Sequence, residues 1–217
     1  MYQFCSLINM VNNLFIYLVG VKMDRRVGKS QKAIKEALLE LMRYTQFEKI
    51  TINSIADKAN VSRGTVYLNF MDKQDILEKC ISDEMEKLKE ICIPINDDTI
   101  LGLQETLINT LNYIEYNSTL FMMFKQNEYR IFKNQLLLNI KDSVSMQIKL
   151  SNKGSYKYED IYINFWAMAI TDIIIWWLEN TMIYSSKEIS EQLLQILSAN
   201  NLVDLTLNEK KHKSNDK

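Results

Sequence analysis

The run Ser62-Arg63-Gly64-Thr65, followed by Tyr67 and Asn69, concentrates hydrogen-bonding side chains around a bare stretch of backbone. An arginine can donate two parallel hydrogen bonds to a guanine edge, and a threonine beside it can offer a hydroxyl or a methyl group. Gly64 removes the side chain that would hold the backbone away from such a surface. This is recognition chemistry. Bond-making chemistry lacks its parts, because the single histidine, His212, sits in a polar tail. The cysteines Cys5, Cys80 and Cys92 are odd in number and contain no CxxC pair. No nucleophile elbow, phosphate loop or metal-ligand spacing occurs, so no catalytic residue, metal or cofactor is expected.

The recognition residues must ride on a helix. Thr51 is a suitable N-cap for a short helix whose apolar positions are Ile52, Ile55, Ala56 and Ala59. Asn60-Val61-Ser62 then reads as a tight turn, since asparagine tolerates the left-handed backbone such turns require. Ser62 caps a second short helix that runs to about Phe70, with Val66 and Phe70 as its core positions. Upstream, Ile34, Ala37, Leu38 and Leu41 mark an amphipathic helix over 29–43. Arg25, Arg26 and Lys29 precede it as a basic arm suited to a nucleic-acid backbone or minor groove. Asp72, with Asp75 three residues on, opens a fourth helix that carries Leu77, Cys80, Ile81, Met85, Leu88 and Cys92 toward Pro94. Both cysteines lie on its apolar stripe, which predicts buried, inert thiols.

Two short helices joined by a tight turn form a helix-turn-helix pattern. Charge agrees with a nucleic-acid partner for this end. Residues 1–73 hold eleven Lys/Arg against six Asp/Glu, whereas residues 74–217 hold fifteen against twenty-one.

The segment TINSIADKANVSRGTVYLNF (51–70), then MDKQDIL to Leu77, resembles the TetR family of bacterial transcription factors. Ala33-Ile34 and Ala37-Leu38 fit the family's preceding helix. The resemblance covers about fifty residues and implies a DNA-binding head on an all-helical, ligand-sensing, dimerising body. It implies phosphate contacts from Thr51, Tyr67 and Lys73, with Asn69 able to serve as another. By their own chemistry Arg63 and Thr65 are expected at base edges, with Gly64 clearing the approach of the backbone; Ser62 is expected first as a cap, and contact with DNA stays open for it. Asn60 stands where the family usually has glycine, and Leu68-Asn69 where it often has aromatic or histidine residues. The partners implied are a palindromic double-stranded operator, a second copy of the chain and an unknown small effector, with repression as the usual outcome.

The remainder is expected to be helical, because one proline and five glycines are too few for a sheet-rich fold of 217 residues. Helices are predicted near 97–116, 118–128, 130–150, 157–182 and 186–200, the last opened by a Ser185/Glu188 capping box, for nine in all. The stretch 158–182 is apolar all round and must be covered on two sides. One side is expected to face its own body and the other a second subunit, with Ile170, Ile174, Trp177, Leu193 and Leu197 at a homodimer interface. The Trp-Trp-Leu-Glu-Asn run weakly resembles the dihydroxyacetone-kinase regulator branch of the family. Tyr113, Tyr116, Phe121, Met122, Phe124 and Trp166, with the carboxylate of Asp172, are expected to line an adaptable effector pocket.

The domain organisation read from this is an extension over 1–24, a DNA-binding domain over 25–73, a regulatory and dimerisation domain over 74–203 and a polar tail over 204–217. The first 22 residues lack a basic n-region and a cleavage site and are interrupted by asparagines. They read as an upstream false start or a disordered extension, neither leader nor membrane span, which together with the unpaired cysteines points to the cytoplasm. The alternative that stays open is a ligand-independent DNA-binding regulator that works through protein partners.

Overall fold

The computed structural model describes residues 25–91, 99–150 and 158–199. The expected extension over 1–24, the tail over 204–217, the end at Pro94 and the break at 152–154 lie outside them. Among the described residues every regular element is helical: eight α-helices and one 3-10 turn. The chain divides into two compact units, one ending at Leu77 and one beginning at Glu78.

The first unit holds α1 (Arg25–Met42), a 3-10 turn (Phe47–Lys49), α2 (Ile52–Lys58), α3 (Arg63–Asn69) and the start of α4 (Lys73–Ile91). Helices α1, α2 and α3 pack on one another. Ile34 and Leu38 of α1, Ile55 of α2 and Val66 of α3 are fully buried, joined by Phe47, Ile50, Phe70, Ile76 and Leu77. Each such aliphatic side chain contributes about 1.5–3 kcal/mol of burial. The described part of α1 starts at Arg25, so Arg25, Arg26 and Lys29 are helical residues and do not form a separate arm.

Local capping follows the sequence closely. Thr51 and Ser54 form a reciprocal capping box at α2. After α2, Asn60 takes φ 54° and the Val61 N–H returns to the Ala56 carbonyl at 3.0 Å, closing the turn. The Ser62 hydroxyl accepts from the Thr65 N–H at 3.0 Å. At α4 the Asp72 carboxylate accepts from the Asp75 N–H, while Asp75 reaches back to the Met71 N–H at 2.9 Å.

The second unit holds the rest of α4 with α5 (Thr99–Tyr116), α6 (Ser118–Leu150), α7 (Glu159–Glu179) and α8 (Ser186–Ala199). The helices expected over 118–128 and 130–150 run as the single element α6, interrupted where Glu128 adopts φ −143°, ψ 56°. Counted as one element it gives eight described helices; with its two halves counted apart, as the sequence predicts them, nine. α7 packs chiefly on α6, α8 on α5, and α5 on α6. Cross-links tie α4 to α6: Asn139 donates to the Met85 carbonyl at 2.7 Å and Gln135 to the Ser82 hydroxyl at 3.1 Å. α7 stops at Glu179, short of the expected 182, because Thr181 and Met182 take left-handed φ values of 51° and 53°. By length and composition α7 alone among the described helices could cross a membrane, yet nearly half of it is buried inside this unit.

Candidate nucleic-acid interface

On α3 the residues Val66 and Phe70 face the core of the head, which turns Arg63, Gly64, Tyr67 and Leu68 outward. The Arg63 guanidinium lies 5.9 Å from the centre of the Tyr67 ring one turn later. This cation–π contact holds the long side chain over an aromatic face without consuming its N–H donors. Thr65 is half-buried, and its hydroxyl lies 2.9 Å from that of Ser62. Gly64 is informative through what it lacks. A Cβ added there would meet only the Ser62 hydroxyl, at an ordinary 3.6 Å. The head would therefore accept alanine, a better helix former, so the fold does not require the glycine. A bare backbone at that point suits close approach by an external surface.

Thr51 is exposed at the start of α2, and Arg26 and Lys29 are exposed on α1. Two expected contacts are turned elsewhere. Lys73 is half-buried, and its ammonium donates to the carbonyls of Phe47 at 2.7 Å, Glu48 at 3.0 Å and Ile50 at 3.0 Å. It also sits 4.7 Å from the Phe47 ring centre. An ammonium has three donors, and here each is directed at a carbonyl of the 3-10 turn, so Lys73 has a fold-holding role in this structure. Asn69 spends an amide hydrogen on the Thr65 carbonyl at 2.7 Å.

In the second unit none of the expected pocket residues lines the cavity that the described residues form. Phe121 and Phe124 are fully buried, and Phe121 makes edge contacts with Tyr113, Phe124 and Phe132. These rings fill their own space. The Tyr113 hydroxyl donates to the buried Glu84 carboxylate; burial first, and then this bond, push the phenol's pKa upward. Tyr116 is 90% exposed and Met122 half-buried. Asp172 is exposed and pairs with Lys133 at 2.6 Å, a bond that raises the lysine's pKa. Trp166 is buried beside Phe165, and its indole N–H has no partner among the described residues.

A cavity of about 80 Å³ does exist, but elsewhere. Leu107, Ile140, Val144, Ile170, Ile174 and Leu197 form its apolar wall, and Thr106, Thr110, Ser143 and Gln147 supply neutral polar atoms. Ile170, Ile174 and Leu197, expected at the dimer face, are thus part of this interior, and Trp177 and Leu193 are buried as well. A side chain enclosed by its own protomer cannot present itself to a second copy. The surface of α7 instead exposes Ile161, Phe165, Met168 and Trp176 on one face.

Residues 34–80 match the family model described as bacterial regulatory proteins, tetR family. Residues 102–199 match the model described as transcriptional regulator C-terminal region. The chain belongs to the TetR family. It is 30% identical over 175 residues to the HTH-type transcriptional regulator YxbF of Bacillus subtilis (strain 168). That alignment takes in 78% of this chain but 45% of YxbF, so the chain spans about half the length of this curated relative. The dihydroxyacetone kinase operon activator DhaS superposes with a TM-score of 0.63 at 19% identity, covering 79% of this chain and 95% of DhaS. A TetR-family regulator from Syntrophomonas wolfei gives 0.65 at 19% identity, covering 82% and 97%. At such identities the structural likeness establishes the TetR fold alone.

Within that fold, sequence reasoning missed the cavity-lining residues Thr106, Thr110, Ser143 and Gln147 and the exposed stripe of α7. The polar four were legible only as ordinary helix residues, because nothing in their spacing marks a void. The stripe was legible in principle. Ile161, Phe165, Met168 and Trp176 recur at helical intervals, but a helix apolar on every face has no phase that the sequence can reveal.

Proposed function

We propose that this TetR-family transcriptional regulator is a cytoplasmic homodimer that reads a palindromic double-stranded operator through α3 and represses by occupying it. The observation that carries the reading is the outward face of α3, where Arg63 and Tyr67 flank a glycine that the fold does not need. Arg63 reads a guanine, Thr65 and Ser62 contribute hydroxyls, and Thr51, Tyr67, Arg25, Arg26 and Lys29 serve the phosphate backbone. Selection of bound fragments from random duplex DNA tests this. The reading predicts paired half-sites about 34–36 Å, or one helical turn, apart. Weak binding to all duplexes alike, lost with added salt, would overturn it.

The dimer forms through the α7 stripe Ile161, Phe165, Met168 and Trp176, with Ile196 of α8, which is also exposed. Exposed apolar groups clustered on one helix face mark interaction surfaces in soluble proteins. The effector is small and apolar or amphipathic, since the residues lining the cavity include no charged group. A ligand that prefers the non-binding state by a few kcal/mol suffices to release DNA.

A second reading has an observation in its favour. The aromatic cluster is filled, and the cavity is smaller than the roughly 150 Å³ apolar cavity known to take up benzene. That size suits a ligand-independent regulator acting through protein partners. Thermal-shift screening of neutral aliphatic compounds, followed by operator release, separates the two readings.

A further inference from the structure

Leu68 is 87% exposed in the last turn of α3. Residues two apart on a helix point to nearly opposite sides, so the burial of Val66 drives Leu68 straight outward. One turn earlier on the same line stands Gly64, which has no side chain. Leu68 is therefore the one group that projects along the midline of the outward face, with Arg63 and Tyr67 on one flank and Thr65 on the other. Tyr67 at 52% and Met71 at 81% exposure extend the apolar character around it. Lone exposed leucines are ordinary on protein surfaces. This one occupies the position that would enter a groove most deeply, on a unit with a surplus of positive charge.

Resting on the reading of α3 as the recognition helix, we propose that Leu68 is a specificity-determining residue that reads the methyl group of a thymine in the major groove. A leucine side chain has no donor or acceptor, so it cannot read the nitrogen and oxygen edges of bases. The thymine C5-methyl is the one apolar feature that the major groove displays. The register follows from helix geometry. Leu68 is five residues beyond Arg63, or about 7.5 Å along the axis at about 1.5 Å per residue. Successive bases rise about 3.4 Å, so for a helix aligned with the duplex axis the thymine lies about two base pairs from the guanine that Arg63 reads, and nearer for a tilted one.

The test uses the full chain and the duplex obtained by selection. Each thymine of the half-site is replaced in turn by deoxyuridine, which lacks only the methyl group. At one position, within about two base pairs of the guanine, wild-type affinity should fall about four-fold, the worth of one buried methyl group. Leu68→Ala, which removes an exposed side chain and leaves the fold intact, should bind the thymine and deoxyuridine duplexes equally. Leu68→Met, which keeps an apolar tip, should retain the preference. A wild-type protein indifferent to deoxyuridine at every position of a specifically bound duplex would overturn the assignment while leaving the recognition helix in place. So would a thymine preference that persists in Leu68→Ala. Failure to enrich any duplex would overturn the recognition-helix reading and this assignment with it.

Discussion

The Lys73 ammonium lies 2.7 Å from the carbonyl oxygen of Phe47, twenty-six residues earlier in the chain. With the bonds to Glu48 and Ile50 it closes the end of the 3-10 turn and fixes the entry into α2. Removing it would leave the part-buried Phe47 and Ile50 carbonyls without a charged donor. Lys73→Ala should destabilise the head by about 2 kcal/mol, the scale of hydrogen bonds to a charged group. Chemical denaturation measures that loss. The salt dependence of DNA binding by the folded variant should stay unchanged, whereas a slope shallower by about one ion would restore Lys73 as a phosphate contact.

Gly64→Ala should act in opposite directions on stability and on binding. The added Cβ finds space in the head, so the thermal midpoint should rise, by an amount equivalent to about 0.4–1 kcal/mol. Operator affinity should fall at least several-fold, because the same methyl group holds α3 off the base edges. A variant that is both stabilised and fully active in binding would show that the glycine serves no approach.

Arg63→Ala should lose discrimination, with operator binding weakened by about 1–3 kcal/mol and binding to random duplex nearly unaffected. Titrations of both duplexes at one salt concentration decide this. Equal weakening on the two would make Arg63 a phosphate contact.

Phe165→Asp places a charge in the centre of the exposed α7 stripe, where the fold of the protomer tolerates it. Sedimentation should show the dimer dissociating, with a dissociation constant raised at least about a hundred-fold, because a C2 interface would bury two unpaired carboxylates. Persistence of the dimer would move the interface elsewhere. Trp177→Ala, by contrast, should destabilise the protomer itself by about 3–5 kcal/mol, since Trp177 is fully buried.

Glu188 accepts from the Ser185 N–H and hydroxyl, each at 2.8 Å, and these bonds hold its pKa below the ordinary 4.5. A depressed carboxylate pKa stabilises the folded state above the unfolded value, and the contribution fades as pH falls through the folded one. The thermal midpoint of Glu188→Gln should therefore lie below wild type at neutral pH and converge with it under acid. A difference that is constant with pH would show that the carboxylate charge plays no part in capping α8.

Several local features were legible in the sequence. The caps at Thr51, Ser62 and Ser185 and the left-handed turn at Asn60 depend on residues within a few positions of one another. The helical periods were legible for the same reason, and the family resemblance added the reading of α2 and α3 as a recognition unit. Beyond α3, tertiary structure decided which way side chains face. Lys73 reads in sequence as a surface cation beside a recognition helix, and only the return of the chain past Phe47, Glu48 and Ile50 turns it inward. Phe121 and Phe124 read as well as pocket lining as they do as core, because an apolar ring is indifferent to whether its neighbour is a ligand or Phe132. Asp172 reads as a charge inside an apolar run until α6 brings Lys133 beside it. Along α7 the hydrophobic pattern has no polar side to set its phase. The choice between Ile170 inside and Phe165 outside was made by the packing of α6, which lies distant in sequence.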